Sequence, residues 1–181
     1  MRSILQFNSG VYLLICNVPA CLARTNLPGA FHSFQKQRQR QAPTLHYKKS
    51  TNGLEIQIGK LGRAFFPEGF YVYVGSAQRS LAQRLERHLR KEKALHWHID
   101  YLLHHAEILS IYAQKASKEW ECRLSRRLAG LEGARVVMRG FGSSDCGCMS
   151  HLYFFPSRFH LPKIDHLFQS SRVNKEKKSH G

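Results

Sequence analysis

The clearest rhythm in the chain is a period of two. Val11, Leu13 and Ile15 alternate with Tyr12, Leu14 and Cys16 behind Gly10, which predicts a buried strand. Leu54, Ile56 and Ile58 alternate up to Gly59. Phe70–Val74 is entered by Pro67 and Gly69 and closed by Gly75 and Ser76, so two further strands are expected. In the last of these, the period puts Tyr71, Tyr73 and Gly75 on one face and Phe70, Val72 and Val74 on the other. The spacing then lengthens. Ser80–Arg90 carries Leu81, Leu85 and Leu89 one turn apart and reads as an amphipathic helix. His96–Leu103 predicts a shorter helix and Ile108–Ala113 a strand. Ser117 is placed as the N-cap of a helix running to about Leu131, with Trp120, Leu124, Leu128 and Leu131 as its apolar stripe. Val136–Met138 and His151–Phe155 read as short strands on either side of a loop rich in Gly, Ser and Cys. The order β-β-β-α-α-β-α-β-β predicts one α/β domain, a small and mainly antiparallel sheet flanked by helices.

The pattern is not continuous. Residues 1–17 hold the first strand, and 18–52 break the rhythm with Pro19, Pro28, Pro43 and the basic, Gln-rich run Gln35–Gln41. That stretch is expected to be a disordered insertion between two strands. Residues 53–156 form the main body, and 157–181 a basic tail ending in Lys175-Glu-Lys-Lys178. At 181 residues and 43% hydrophobic content the chain can bury one core. No apolar run reaches the roughly 20 residues of a membrane-spanning helix. Val11–Val18 also fits the apolar part of a signal peptide, but only Arg2 precedes it and polar residues dilute its lead-in. The strand reading is favoured, and with it a cytoplasmic location.

Charge adds a partner. Lys and Arg number 28 against 12 Asp and Glu, a formal net charge of +16, which points to nucleic acid. Arg63, Arg79, Arg84, Arg87, Arg90, Lys91 and Lys93 cluster around the Phe70–Val74 strand, where they would neutralise phosphates without reading sequence. On a helical wheel Arg84 and His88 border the Leu81/Leu85/Leu89 stripe, and Glu121 borders that of Trp120, Leu124 and Leu128. Five cysteines at uneven spacing argue against a disulfide framework. Cys146-Gly-Cys148-Met-Ser-His151 has spacing that could wrap one Zn²⁺, with His96, His98 or Asp145 completing a tetrahedron. The alternative is a tight turn in which two thiols pack and His151 caps a strand. His96 and His98 are spaced wrongly for one helical face and read as a turn around a half-buried Trp97.

Gly10-Val-Tyr12 and Tyr73-Val-Gly75, followed in order by Arg84, His88 and Glu121, resemble the signature of the GIY-YIG nuclease superfamily. Tyr71–Ala77, His96–Tyr101, Glu121-Cys122 and Phe141–His151 resemble an uncharacterised bacterial and archaeal branch of it, sometimes fused to an endonuclease III-like DNA glycosylase. The resemblance covers residues 8–17 and 53–156. It implies a divalent-metal-dependent endonuclease that hydrolyses phosphodiester bonds, of DNA rather than RNA, in DNA repair. It further implies Glu121 as ligand of Mg²⁺ or Mn²⁺, Arg84 facing the scissile phosphate, and Tyr12 as base or water-positioning phenol. Tyr73 would shape the site and His88 assist. Two features depart from the pattern. About sixty residues separate the two tyrosine motifs, and Ser76-Ala-Gln78 and Gly133 stand where cleaving relatives carry a Lys and an Asn. The reading from another class is a non-catalytic nucleic-acid-binding module that retains the fold.

Overall fold

The computed structural model describes residues 7–19, 52–158 and Leu167. In chain order the elements are β1 (Gly10–Val18), β2 (Gly53–Ile58), a 3-10 turn, β3 (Gly62–Pro67), β4 (Gly69–Ala77), α1 (Leu81–Leu89), α2 (His98–Leu103), β5 (Glu107–Gln114), α3 (Glu119–Ala129) and β6 (Leu152–Phe155). Four strands form a sheet in the order β5-β1-β4-β6. Every neighbouring pair in it is antiparallel. β2 and β3 form a separate hairpin. The expected α/β architecture is present. The expected insertion over 18–52 lies, from residue 20 to 51, outside the described residues.

β1 is central and buried on both faces, so its alternation divides the core in two. Tyr12, Leu14 and Cys16 join Tyr71, Tyr73, Leu81, Leu85, Ile99, Leu102 and Phe141 on the side covered by α1, α2 and the hairpin. Val11, Leu13 and Ile15 join Val72, Val74, Leu124 and Leu128 on the side covered by α3. Burying Leu81 and Leu85 to 0% and 4% exposure contributes about 1.5–3 kcal/mol each. The start of α1 is fastened to the lead-in of β1. Ser80 sits at φ +55, its N–H donates to Asn8 Oδ1 at 2.9 Å, and the Leu81 N–H donates to the Asn8 carbonyl at 3.0 Å.

Several expectations are corrected. β3 is a strand that the sequence pattern missed. Val136–Met138 is not a strand: beside it there is a single bridge, between Arg135 and Phe154. The third buried position of α1 is His88 at 3%, while Leu89 is 44% exposed. The N-cap of α3 is Lys118, without a side-chain cap, rather than Ser117. The expected tail contributes to the core, since Leu167 is buried against the α3 side and its carbonyl accepts from Arg127 Nη1 at 3.1 Å. Among the described residues no helix is long and apolar enough to cross a membrane.

Candidate functional site

Where β1 begins and β4 ends, Tyr12 lies directly opposite Gly75. A Cβ at position 75 would collide with the Tyr12 ring, so the glycine leaves the phenol room to cross β4. Gly142 does the same for Tyr73. It sits at φ +71, and a Cβ there would lie 2.8 Å from Tyr73 Cε2. The two tyrosine rings are 6.4 Å apart between centroids. Tyr12 is 1% exposed, and its hydroxyl lies 2.8 Å from Nε2 of His88 on α1. Burial pushes both phenols above their ordinary range, and the nearby Arg84 charge opposes it only in part. Burial also depresses His88 to about 4, against the pull of Asp100 in the other direction. At neutral pH the buried pair is therefore a protonated phenol and a neutral imidazole.

Above this pair opens a cleft of about 440 Å³, lined by Tyr73, Ser76, Arg84, Trp97, Lys118 and Glu121 among others. The Arg84 guanidinium lies 4.2 Å from the Trp97 ring centroid, which fixes its plane at the cleft wall. Glu121, in the first turn of α3, reaches the cleft from the other side of the sheet. Its Oε2 accepts a 2.6 Å hydrogen bond from Ser76 Oγ at the end of β4. Its Oε1 is 3.4 Å from Nδ1 of His151, and the side chain keeps 13% exposure. Tyr73, Arg84 and Glu121 thus share one cleft, while Tyr12 and His88 lie a layer beneath it.

The basic residues divide. Arg79, Arg90 and Lys91 are exposed. Arg63 is exposed on the hairpin, 3.8 Å from Glu55. Arg87 and Lys93, expected on nucleic acid, are turned inward onto Asp100, which is 0% exposed. Arg87 Nη1 donates to both carboxylate oxygens at 2.8 and 2.9 Å, and its Nη2 donates to the Ala94 carbonyl. Lys93 Nζ lies 3.8 Å from Asp100 Oδ1 and donates to the carbonyls of His88 and Arg87. The Asp100 carboxylate also accepts from the N–H groups of His96 and Trp97. Burial works to raise its pKa, but the Arg87 and backbone hydrogen bonds outweigh it and hold the group below its ordinary value.

The cysteine loop holds a second constellation. Cys122, Cys146, Cys148 and His151 bring one ligand atom each to within 4.8 Å of one another, a group that could hold a metal ion. None of the expected completing residues is in it. His98 Nδ1 accepts the Gly142 N–H at 3.0 Å, Asp145 pairs with Lys118 Nζ at 2.7 Å, and His96 is exposed at the cleft. The fourth member is Cys122, one residue after Glu121 on α3. Its signal in the sequence was a leftover cysteine beside a candidate carboxylate. Burial, with hydrogen bonds from Cys148 and Cys146, pushes the Cys122 thiol up to about 12. Lys118, Ser76 and Trp97 were also not singled out as site residues, because nothing in the local spacing shows that they border the cleft.

A family model described as "Domain of unknown function DUF123" matches residues 45–173, well over half of the chain. The matched stretch begins after β1, the strand lying between β5 and β4 in the sheet. No curated protein and no solved structure matches the chain.

Proposed function

The chain belongs to the DUF123 family, and we propose that it is a GIY-YIG-like nucleic-acid-binding protein that hydrolyses phosphodiester bonds with one divalent cation, DNA being the preferred substrate and repair its setting. The observation that carries this reading is the cleft itself. A phenol from β4, a guanidinium from α1 and a carboxylate from α3 meet there, brought from three separate stretches of a chain of net charge +16.

The donors suit the chemistry. Glu121 offers hard carboxylate oxygens beside the Ser76 hydroxyl, which fits Mg²⁺ or Mn²⁺ keeping most of its waters. The thiol-rich group beside it suits the softer Zn²⁺ instead. A cation held by Glu121 would neutralise the non-bridging oxygens and make a water more acidic. The protein's own groups do the rest. Arg84, its guanidinium set against Trp97, faces the phosphate and stabilises charge developing on it. Tyr73 is the phenol that borders the cleft. Kept protonated by burial, it orients water or phosphate by hydrogen bonding rather than by taking a proton. Tyr12 and His88 support Tyr73 and Arg84 from below, so the roles of the two tyrosines are exchanged relative to the sequence expectation. Arg79, Arg90 and Lys91, all exposed, supply further positive charge for the backbone.

Purified protein is expected to nick supercoiled plasmid or branched DNA with Mg²⁺ or Mn²⁺, to stop with EDTA, and to lose about 10²–10³-fold in rate on Arg84→Ala. Salt-sensitive binding without cleavage, unaltered by EDTA, would instead identify a binding module that kept the fold.

A further inference from the structure

Three of the five cysteines lie together and half-buried, in contrast to Cys16 in the core. Thiols that merely fill space are expected in the core. These instead come from separate places. Cys122 sits in the first turns of α3, Cys146 and Cys148 on the loop after it, and His151 immediately before β6. The loop is shaped to deliver them, with Gly140 and Gly142 at positive φ and the Cys146 N–H turned back onto the Ser143 carbonyl. All three thiols are free. Tetrahedral zinc, with bonds of about 2.3 Å to sulfur and 2.0–2.1 Å to nitrogen, puts its ligand atoms about 3.5–3.8 Å apart. The Cys146 Sγ to His151 Nε2 distance is 3.4 Å, and the whole group spans no more than 4.8 Å.

The other face of His151 gives an independent indication. The residue is 1% exposed, and its Nδ1 has no hydrogen bond of ordinary geometry, with Glu121 Oε1 lying 3.4 Å away. An imidazole bound to metal through Nε2 must carry its proton on Nδ1, and a carboxylate behind it is the usual second partner. We propose that Cys122, Cys146, Cys148 and Nε2 of His151 bind one zinc ion, and that this ion, through the His151 Nδ1–H, holds the Glu121 carboxylate in place at the cleft. Four protein ligands close the coordination shell, so the ion is structural. It ties the loop carrying Gly142, which packs on Tyr73, to the helix carrying Glu121. Zinc binding stands without the hydrolase reading; only the effect on cleavage rests on it.

The test uses the full chain purified under reducing conditions. About one zinc per chain is expected by elemental analysis, released in step with mercurial titration of three thiols. Cobalt substitution should give the intense visible bands and thiolate charge transfer of a tetrahedral site. Cys122→Ser should abolish that spectrum or weaken metal binding at least about 10-fold. His151→Cys separates the two parts of the proposal. It should retain zinc through four thiolates, yet lose about 10-fold or more in Mg²⁺-dependent cleavage because Glu121 has lost its partner. Wild-type protein that holds no zinc and gives no cobalt–thiolate spectrum overturns the site. Full cleavage by zinc-loaded His151→Cys overturns the positioning role. Absence of cleavage by zinc-loaded wild type counts against the hydrolase reading and leaves the zinc site standing.

Discussion

Two carboxylates, Asp100 in the interior and Glu121 at the cleft, are treated very differently. Asp100 accepts from Arg87 twice and from two backbone N–H groups, with Lys93 nearby, so its oxygens are saturated. Glu121 has one short bond from Ser76, one long contact to His151, and an opening to the cleft. A saturated carboxylate of this kind holds structure, since any further ligand would have to displace a good partner. An under-saturated one at a cleft wall has lone pairs left for a cation. The difference also separates the basic residues. Arg87 and Lys93 neutralise Asp100, whereas Arg84 lies against Trp97 and keeps its charge toward the cleft.

That contrast is broken most severely at Asp100. Asp100→Ala should cost about 3–5 kcal/mol in urea unfolding, because it leaves Arg87 and two backbone donors without their acceptor and Lys93 without its counter-charge. An effect below about 1 kcal/mol would put the network on the level of an exposed ion pair. His88 comes next. Its folded pKa of about 4 lies below the ordinary 6.5, so between these values the unfolded chain binds the extra proton. Its contribution is complete above pH 6.5 and falls by about 3 kcal/mol as the pH drops to 4. Chemical unfolding against pH should show that slope, and His88→Gln should flatten it. Asp100, held below its ordinary 3.8, loses its contribution in a lower window, as the pH falls through 3.8 and on through its folded value. Gly75→Ala, which drives a methyl group into the Tyr12 ring, should destabilise by about 1–3 kcal/mol and be relieved in part by Tyr12→Phe.

Much of this arrangement was legible in the sequence. Period two put Tyr73 and Gly75 on one face of their strand, and the register of β1 on β4 adds what the sequence did not carry, that Tyr12 shares that face and crosses β4 at Gly75. What period two does not carry is depth. Both tyrosines sit on interior strands, yet Tyr12 is sealed in at 1% exposure while Tyr73 stands at the cleft wall. Helical spacing similarly put Leu89 in the buried stripe of α1 with His88 at its border, and the structure buries His88 instead. The hydrogen bond between His88 Nε2 and the Tyr12 hydroxyl goes with the polar choice, a tertiary contact invisible in the helix alone. β3 was missed because Arg63-Ala-Phe-Phe-Pro67 lacks alternation, with Phe65 at 46% exposure on a hairpin outside the main sheet. Val136–Met138 had strand-like residues but no neighbouring strand beyond one bridge. Cys122 was not read as a metal ligand because its partners lie more than twenty residues away, across a loop whose path no local pattern records.

The most direct measurement is single-turnover cleavage of a labelled branched duplex in Mg²⁺ by wild type and by Glu121→Gln, with zinc content and thermal stability recorded on the same samples. The isosteric amide can still accept from Ser76, so fold and zinc should be retained while the rate falls at least about 10²-fold. Equal rates in the two proteins would contradict the assignment of Glu121 as the cleft's cation ligand.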